Sequence, residues 1–226
     1  MAKRIHKQGI AIFLFSLLAV CPLQAQNWRD SLAVLNREIS QNPRQTYLRL
    51  RKAAVNIELN QWEYAIEEYG RVLQLEPYNL TALYFRAYAN SHERRYDLAR
   101  NDYEAILARV PKHFEAQLGL AHVKRKQGRL SEALDGLNTL VQLYPDSALA
   151  YAARAGVETE LKMNEPALYD WGEAIRLQPA NLDFVVSKAD ILIKLKRRRE
   201  ARRLLQNAID GGTPPSVLKQ WLDQCK

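Results

Sequence analysis

Apolar and polar positions alternate along this chain in one short pattern that returns five times. Ala65, Tyr69, Val72 and Leu73 stand at i, i+4, i+7 and i+8, which is one face of an α-helix. The same spacing recurs at Ala99, Tyr103, Ile106 and Leu107, at Ala133, Leu137, Leu140 and Val141, at Ala167, Trp171, Ala174 and Ile175, and at Ala201, Leu205, Ala208 and Ile209. Each set lies 34 residues after the last. A second amphipathic stretch precedes each and carries its own alanine: Ala53, Ala87, Ala121, Ala155 and Ala189. Pro77, Pro111, Pro145 and Pro179 close four of the units, and Thr213 takes that slot in the fifth.

A breaker and two small residues at constant phase imply stacked hairpins, each burying its neighbour's side, rather than one closed core. Counting phases from 1 to 34, the units are 46–79, 80–113, 114–147, 148–181 and 182–215. Alanine at phases 8 and 20 lets the two helices of a unit approach closely without glycine's backbone-entropy cost. Asn60-Gln61 and Gln127-Gly128 supply polar turns between helices, and the proline cannot continue a helix. The ends of such a stack need covers. Residues 26–45 predict the first, a lone helix over 28–41 with Trp28, Leu32, Leu35 and Ile39 on one side. Residues 216–226 predict the last, started by Pro214-Pro215 and closing the core with Val217, Leu218, Trp221 and Leu222.

A 34-residue helix–turn–helix with alanine at phases 8 and 20, a large apolar residue at 24 and proline at 32 resembles the tetratricopeptide repeat family. The resemblance covers residues 46–215. It implies an all-α, right-handed α-solenoid whose first helices line a concave groove through phases 2, 5, 9, 12 and 13. In this chain those phases include Tyr47, Leu50, Tyr84, Tyr88, His92, Leu118, His122 and Arg125, which are the candidate partner groove. Tyrosine and arginine on a concave wall are common anchors for a peptide. Some members of the family clamp a carboxylate terminus with lysines and asparagines at phases 5 and 9. Leu50, Ala54, Tyr84, Tyr88, Leu118 and His122 stand there, so that clamp is absent. Other departures are Arg49 and Gln117 at the family's bulky phase 4, and Asn56, Asn90, Lys124 and Glu158 at its aromatic phase 11.

Phase 7 is basic in four units and phase 23 acidic in three, and where phase 7 becomes Leu120, phase 23 becomes Gly136. Charges that vanish together predict ion pairs across the helix hairpin: Lys52–Glu68, Arg86–Asp102 and Arg154–Asp170. Lys188 faces Leu204 and is left without an acid by this scheme.

Hydrophobic residues at 47% and charged residues at 26% exclude a disordered chain. The first 25 residues differ from the rest: Lys3, Arg4 and Lys7 precede the uncharged run Ile10–Val20, and Ala25 offers a small residue for cleavage. This is the layout of a secretory signal peptide over 1–25, too short to span a bilayer. It implies export, with the periplasm as destination. A lipoprotein alternative stays open at Cys21, although Val20 and Pro22 flank it poorly. Removal of residues 1–25 leaves 30 lysines and arginines against 25 acids, a net charge of +5, and leaves Cys225 with no intrachain partner.

No glycine-rich phosphate loop, nucleophile elbow or closely spaced metal-ligand set occurs. The expected function is therefore a non-enzymatic adaptor without cofactor, holding a protein or peptide in the groove. The excess charge gathers in Lys194, Lys196, Arg197, Arg198, Arg199, Arg202 and Arg203. Residues 188–203 hold eight basic and two acidic groups, net +6, which leaves −1 for the rest of the exported chain. That patch predicts an acidic partner or an anionic envelope surface. No aromatic residues interleave it, so nucleic acid is not expected. An envelope subunit docking through its edges and this patch is the alternative to the groove adaptor.

Overall fold

The computed structural model describes residues 22–226, all of whose regular elements are α-helices. The leader expected over 1–25 and the lipidation considered at Cys21 fall on residues that, up to position 21, lie outside those described. Twelve helices follow in order: α1 (Pro22–Gln41), α2 (Thr46–Glu58), α3 (Trp62–Leu75), α4 (Leu80–His92), α5 (Tyr96–Leu107), α6 (Phe114–Lys126), α7 (Leu130–Leu143), α8 (Ala148–Glu160), α9 (Asn164–Leu177), α10 (Leu182–Lys194), α11 (Arg198–Asp210) and α12 (Lys219–Gln224). Helices α2, α4, α6, α8 and α10 begin 34 residues apart, and so do α3, α5, α7, α9 and α11. Each packs on the helix before and after it, so the chain forms an α-solenoid.

Local chemistry repeats with the same period. Asn79, His113, Ser147 and Asn181 occupy the last phase of their units, and their side chains accept a backbone N–H from the first turn of the following helix. A side-chain cap satisfies a donor that the helix itself cannot. Phase 15, in every turn between the two helices, has positive φ: Asn60, Arg94, Gly128, Lys162 and Lys196. Glycine adopts that conformation freely, whereas Arg94, Lys162 and Lys196 are strained there.

The alanines at phases 8 and 20 are all buried, nine of them with no exposed surface, so the helix pairs meet at these points. Phase 24 fills the space beside them with Tyr69, Tyr103, Leu137 and Leu205, all buried, and half-buried Trp171. Gly119 has a packing reason: a Cβ there would fall 2.5 Å from Cζ of Tyr103. The alternating polar positions also meet. Arg86 donates Nε and Nη2 to the two carboxylate oxygens of Asp102 at 2.8 and 2.6 Å. Arg154 does the same to Asp170 at 2.6 and 2.8 Å. Lys52 donates to Glu68 at 2.9 Å.

Arg86, Arg154 and Lys188 at phase 7 also reach the preceding hairpin at phase 25. Arg86 lies over Gly70, Arg154 donates to Asn138 at 3.2 Å, and Lys188 sits against Gly172. A long basic side chain there threads between three helices, which explains why Lys188 persists without an acid opposite. Burial pushes its ammonium pKa down. Arg49, anomalous as a phase-4 residue, donates to Glu68 at 2.9 Å and to the Pro43 carbonyl at 3.0 Å. Gln117, the other anomaly, makes the matching bond to the Pro111 carbonyl at 2.6 Å. Burial raises the Glu68 pKa, but hydrogen bonds from Lys52 and Arg49 outweigh it and hold the carboxyl below its usual range.

The two ends differ from their expected form. Helix α1 begins at Pro22, ahead of Trp28, and covers the front with Leu35 buried against Leu48 and Val55. At the back the chain turns through residues 214–218 before α12, and the turn leaves Val217 half exposed instead of in the core. Leu218 takes the buried position, with Trp221 and Leu222 beside it. Cys225 is buried against this cluster rather than lying on a frayed end, and burial raises its thiol pKa.

Candidate functional site

First helices of the middle units neighbour one another, α4 beside α6 and α6 beside α8, so the outer phases of these three helices form one wall. Its character changes along the stack. In the second unit phases 5, 6 and 9 are Tyr84, Phe85 and Tyr88. In the fourth they are Ala152, Ala153 and Gly156. Where the aromatic rings give way to small residues the wall opens into a cavity of about 310 Å³. Leu118, His122 and Arg125 of α6 and Leu149, Ala152 and Ala153 of α8 are among the residues that line it.

Arg125 crosses the mouth between units, donating Nε to Glu160 at 2.7 Å with its guanidinium 3.3 Å from the Cβ position of Gly156. A side chain at 156 would meet that guanidinium, so glycine and the cross-unit bridge go together. The imidazole of His122 titrates below its ordinary range, chiefly through burial and then through the positive charges of Lys126 and Arg125. It is therefore neutral at pH 7 and offers hydrogen bonding without charge.

The second unit presents a different surface. His92 stacks flat on Trp62, ring centres 4.0 Å apart, and Tyr88 meets His92 edge-on at 4.6 Å. Burial lowers the His92 pKa as well. Tyr84 is half-buried, packed against the core of its unit and edge-on to Tyr103, and burial raises its phenol pKa. Leu50 packs against the first unit's core. Tyr84 and Leu50 thus divide their surface between core and wall, whereas Tyr47 is 62% exposed, with the Arg51 guanidinium 5.6 Å from its ring centre.

Of the eight groove residues expected from the repeat phases, Leu118, His122 and Arg125 converge on the cavity, and Tyr88 and His92 form the aromatic cluster with Trp62. Leu149, Ala152 and Glu160 stand at the groove phases 2, 5 and 13 without being among the eight named residues, and Trp62 and Ala153 lie outside those phases. The swap from Tyr84-Phe85 to Ala152-Ala153 at equal phase was the available signal for the cavity. Trp62 belongs to a second helix, and phase counting on first helices passes over it. Among the described residues no group of histidine, cysteine and acid side chains could hold a metal ion.

The basic patch is only partly free. Arg197 donates to Glu165 at 2.8 Å and to both oxygens of Glu200, at 2.7 and 2.8 Å, so its charge is compensated. Arg198 donates to the Lys226 carbonyl. Among the described residues Lys194, Lys196, Arg199, Arg202 and Arg203 make no salt bridge.

A stack of helix hairpins whose first helices line one wall defines a repeat scaffold. Models of the tetratricopeptide repeat match residues 55–113 and 91–156, so this part of the chain is built of tetratricopeptide repeats. It is similar to a solved tetratricopeptide repeat protein of Parabacteroides merdae, with a TM-score of 0.67 at 21% identity over 90% of this chain and 85% of that one. It is also similar to YrrB, described as a tetratricopeptide repeat protein with an unusual peptide-binding site, with a TM-score of 0.59 at 20% identity over 78% of this chain and 91% of that one. Sperm-associated antigen 1 of Rattus norvegicus is 36% identical over 106 residues, which are 47% of this chain and 12% of that protein. The chain thus spans about an eighth of the length of that curated relative. Tetratricopeptide repeat proteins are generally non-enzymatic scaffolds that bind protein or peptide partners.

Proposed function

We propose that this chain is an exported, non-enzymatic adaptor that holds a peptide segment of its partner in the concave groove, with an apolar side chain seated between α6 and α8. One observation carries the reading: where small residues replace the aromatic ones, the wall of first helices opens into an apolar cavity with His122 and Arg125 in its lining. The aromatic end contributes Tyr88, His92 and Trp62, which keep flat surfaces with few rotamers to lose on binding. Arg125 and His122 supply hydrogen bonds to the peptide backbone beside the seat. The basic start and apolar run of the first 25 residues support export and a periplasmic destination.

The test is selection from a displayed peptide library with the full chain after residue 25. Enriched peptides should share one apolar residue, and Ala152→Trp, which fills the seat, should weaken them by at least tenfold with the melting temperature held. Tyr88→Ala should weaken them less. Peptides that bind Ala152→Trp as well as the parent chain would remove the seat from the reading.

A further inference from the structure

The second helices of the five units all begin with an acid in the first turn: Glu63, Asp97, Glu132, Glu165 and Glu200. That placement suits the positive end of a helix dipole. Helix α11 surrounds its acid with cations. Arg197 is the N-cap, and Arg198 and Arg199 are the first two helical residues. Glu200 is consumed by Arg197. Farther on, Arg199, Arg202 and Arg203 lie three and four residues apart, so they are neighbours on one face. That face points away from the core, because Ala201 and Leu205 are buried on the other side and Arg199, Arg202 and Arg203 are exposed. Lys194 ends α10 and Lys196 sits in the intervening turn, with strained positive φ. Lys194 suits the negative end of α10, but the like charges at neighbouring positions of α11, the cations at its positive end and the side chain at Lys196 where glycine is preferred all oppose folding. Glu165 and Glu200 compensate Arg197, and Arg198 bonds the Lys226 carbonyl, but Arg199, Arg202 and Arg203 form no salt bridge among the described residues. Exposed cations that repel one another and form no ion pair within the fold are directed outward.

We infer that the exposed face of α11, with Lys194 and Lys196, is a docking surface for the phosphate-bearing headgroups of an anionic lipid bilayer. The three arginines provide planar donor forks suited to phosphate oxygens. The surface is the outer face of a helix, and the cavity in the first helices lies elsewhere, so it fits an extended charged plane better than an inserted peptide. No aromatic residue interleaves the run 194–203, so within it a strand of nucleobases would have nothing to stack on.

The experiment is co-sedimentation of the chain after residue 25 with phosphatidylcholine vesicles, with and without phosphatidylglycerol. Binding is expected only to the anionic vesicles and should weaken as salt rises. Each cation near such a surface strengthens binding about fivefold, so the triple variant Arg199→Gln, Arg202→Gln, Arg203→Gln should bind about a hundredfold more weakly. The same variant should melt at a higher temperature, because it relieves repulsion, which separates lost docking from lost folding. A charge-matched control, Arg29→Gln, Arg37→Gln, Lys112→Gln, should bind like the parent. Equal binding to neutral vesicles, a triple variant that binds like the parent, or a control that loses as much would overturn the proposal. So would retention by polyglutamate under salt conditions that abolish vesicle binding, which would assign the patch to an acidic protein.

Discussion

Units two and four are built on one plan and finished differently. Both carry the bidentate pair at phases 7 and 23, Arg86–Asp102 and Arg154–Asp170, and both close on buried alanines. Outside those phases they diverge. Unit two fills its groove side with Tyr84, Phe85 and Tyr88, and unit four leaves it open with Ala152, Ala153 and Gly156. At phase 11 unit two buries Asn90, while unit four buries Glu158. The difference teaches that the periodic phases hold the stack together, and that the phases free of that duty give each hairpin its own chemistry.

The largest test of the comparison removes the acid from each pair. Asp102→Ala strands a partly buried guanidinium and should cost about 3 kcal/mol, measured by urea unfolding. Asp170→Ala should cost less, because Glu158 stands beside Arg154 and, once Asp170 is gone, ionises in its place. Equal losses would erase the distinction drawn between the two units.

Next is pH. Burial and the neighbouring Asp170 charge raise Glu158 to a pKa of about 7. The folded state therefore holds a proton that the unfolded chain releases near 4.5. The stability tied to that proton is whole below pH 4.5, declines as pH rises, and is gone above about 7. Comparing Glu158→Gln with the parent across this window should show the variant gaining, by up to about 2 kcal/mol at pH 8. Asn90→Asp should impose a similar slope on unit two, and Asn90→Gln none.

A third, smaller effect lies between the units. Gly119→Ala drives a Cβ into the Tyr103 ring and should cost about 1–2 kcal/mol in thermal unfolding, because buried Tyr103 has little room to withdraw. The smallest concerns the turns. Arg94→Gly and Lys162→Gly, at the positive-φ phase of units two and four, should each stabilise by about 0.5 kcal/mol. Loss of stability at either would mean that the side chain makes a contact outweighing its strain.

The residues show why legibility was uneven. Alanine at phases 8 and 20 could be read directly, because no larger side chain fits where two helices touch. The paired loss of charge at Leu120 and Gly136 made the phase 7–23 relation visible as a correlation along the chain. Arg49 and Gln117 looked like defects because their partners, the Pro43 and Pro111 carbonyls and Glu68, belong to turns and to the opposite helix. The stacking of His92 on Trp62 was hidden for the same reason, since it joins a second helix of one unit to a first helix of the next.

The period and phase of the chain by themselves determined the hairpins and their order, because each hairpin must bury the same face against a neighbour of the same kind; the assignment of a groove to the first helices came from the resemblance to tetratricopeptide repeats. Tertiary structure alone decided which groove residues are shared with the core, where the wall opens, and which cations of the basic patch remain unpaired. Those outcomes depend on distances between residues about thirty or more positions apart, such as Arg125 to Glu160 and Arg197 to Glu165, and a periodic sequence constrains which helices meet without stating which side chains touch.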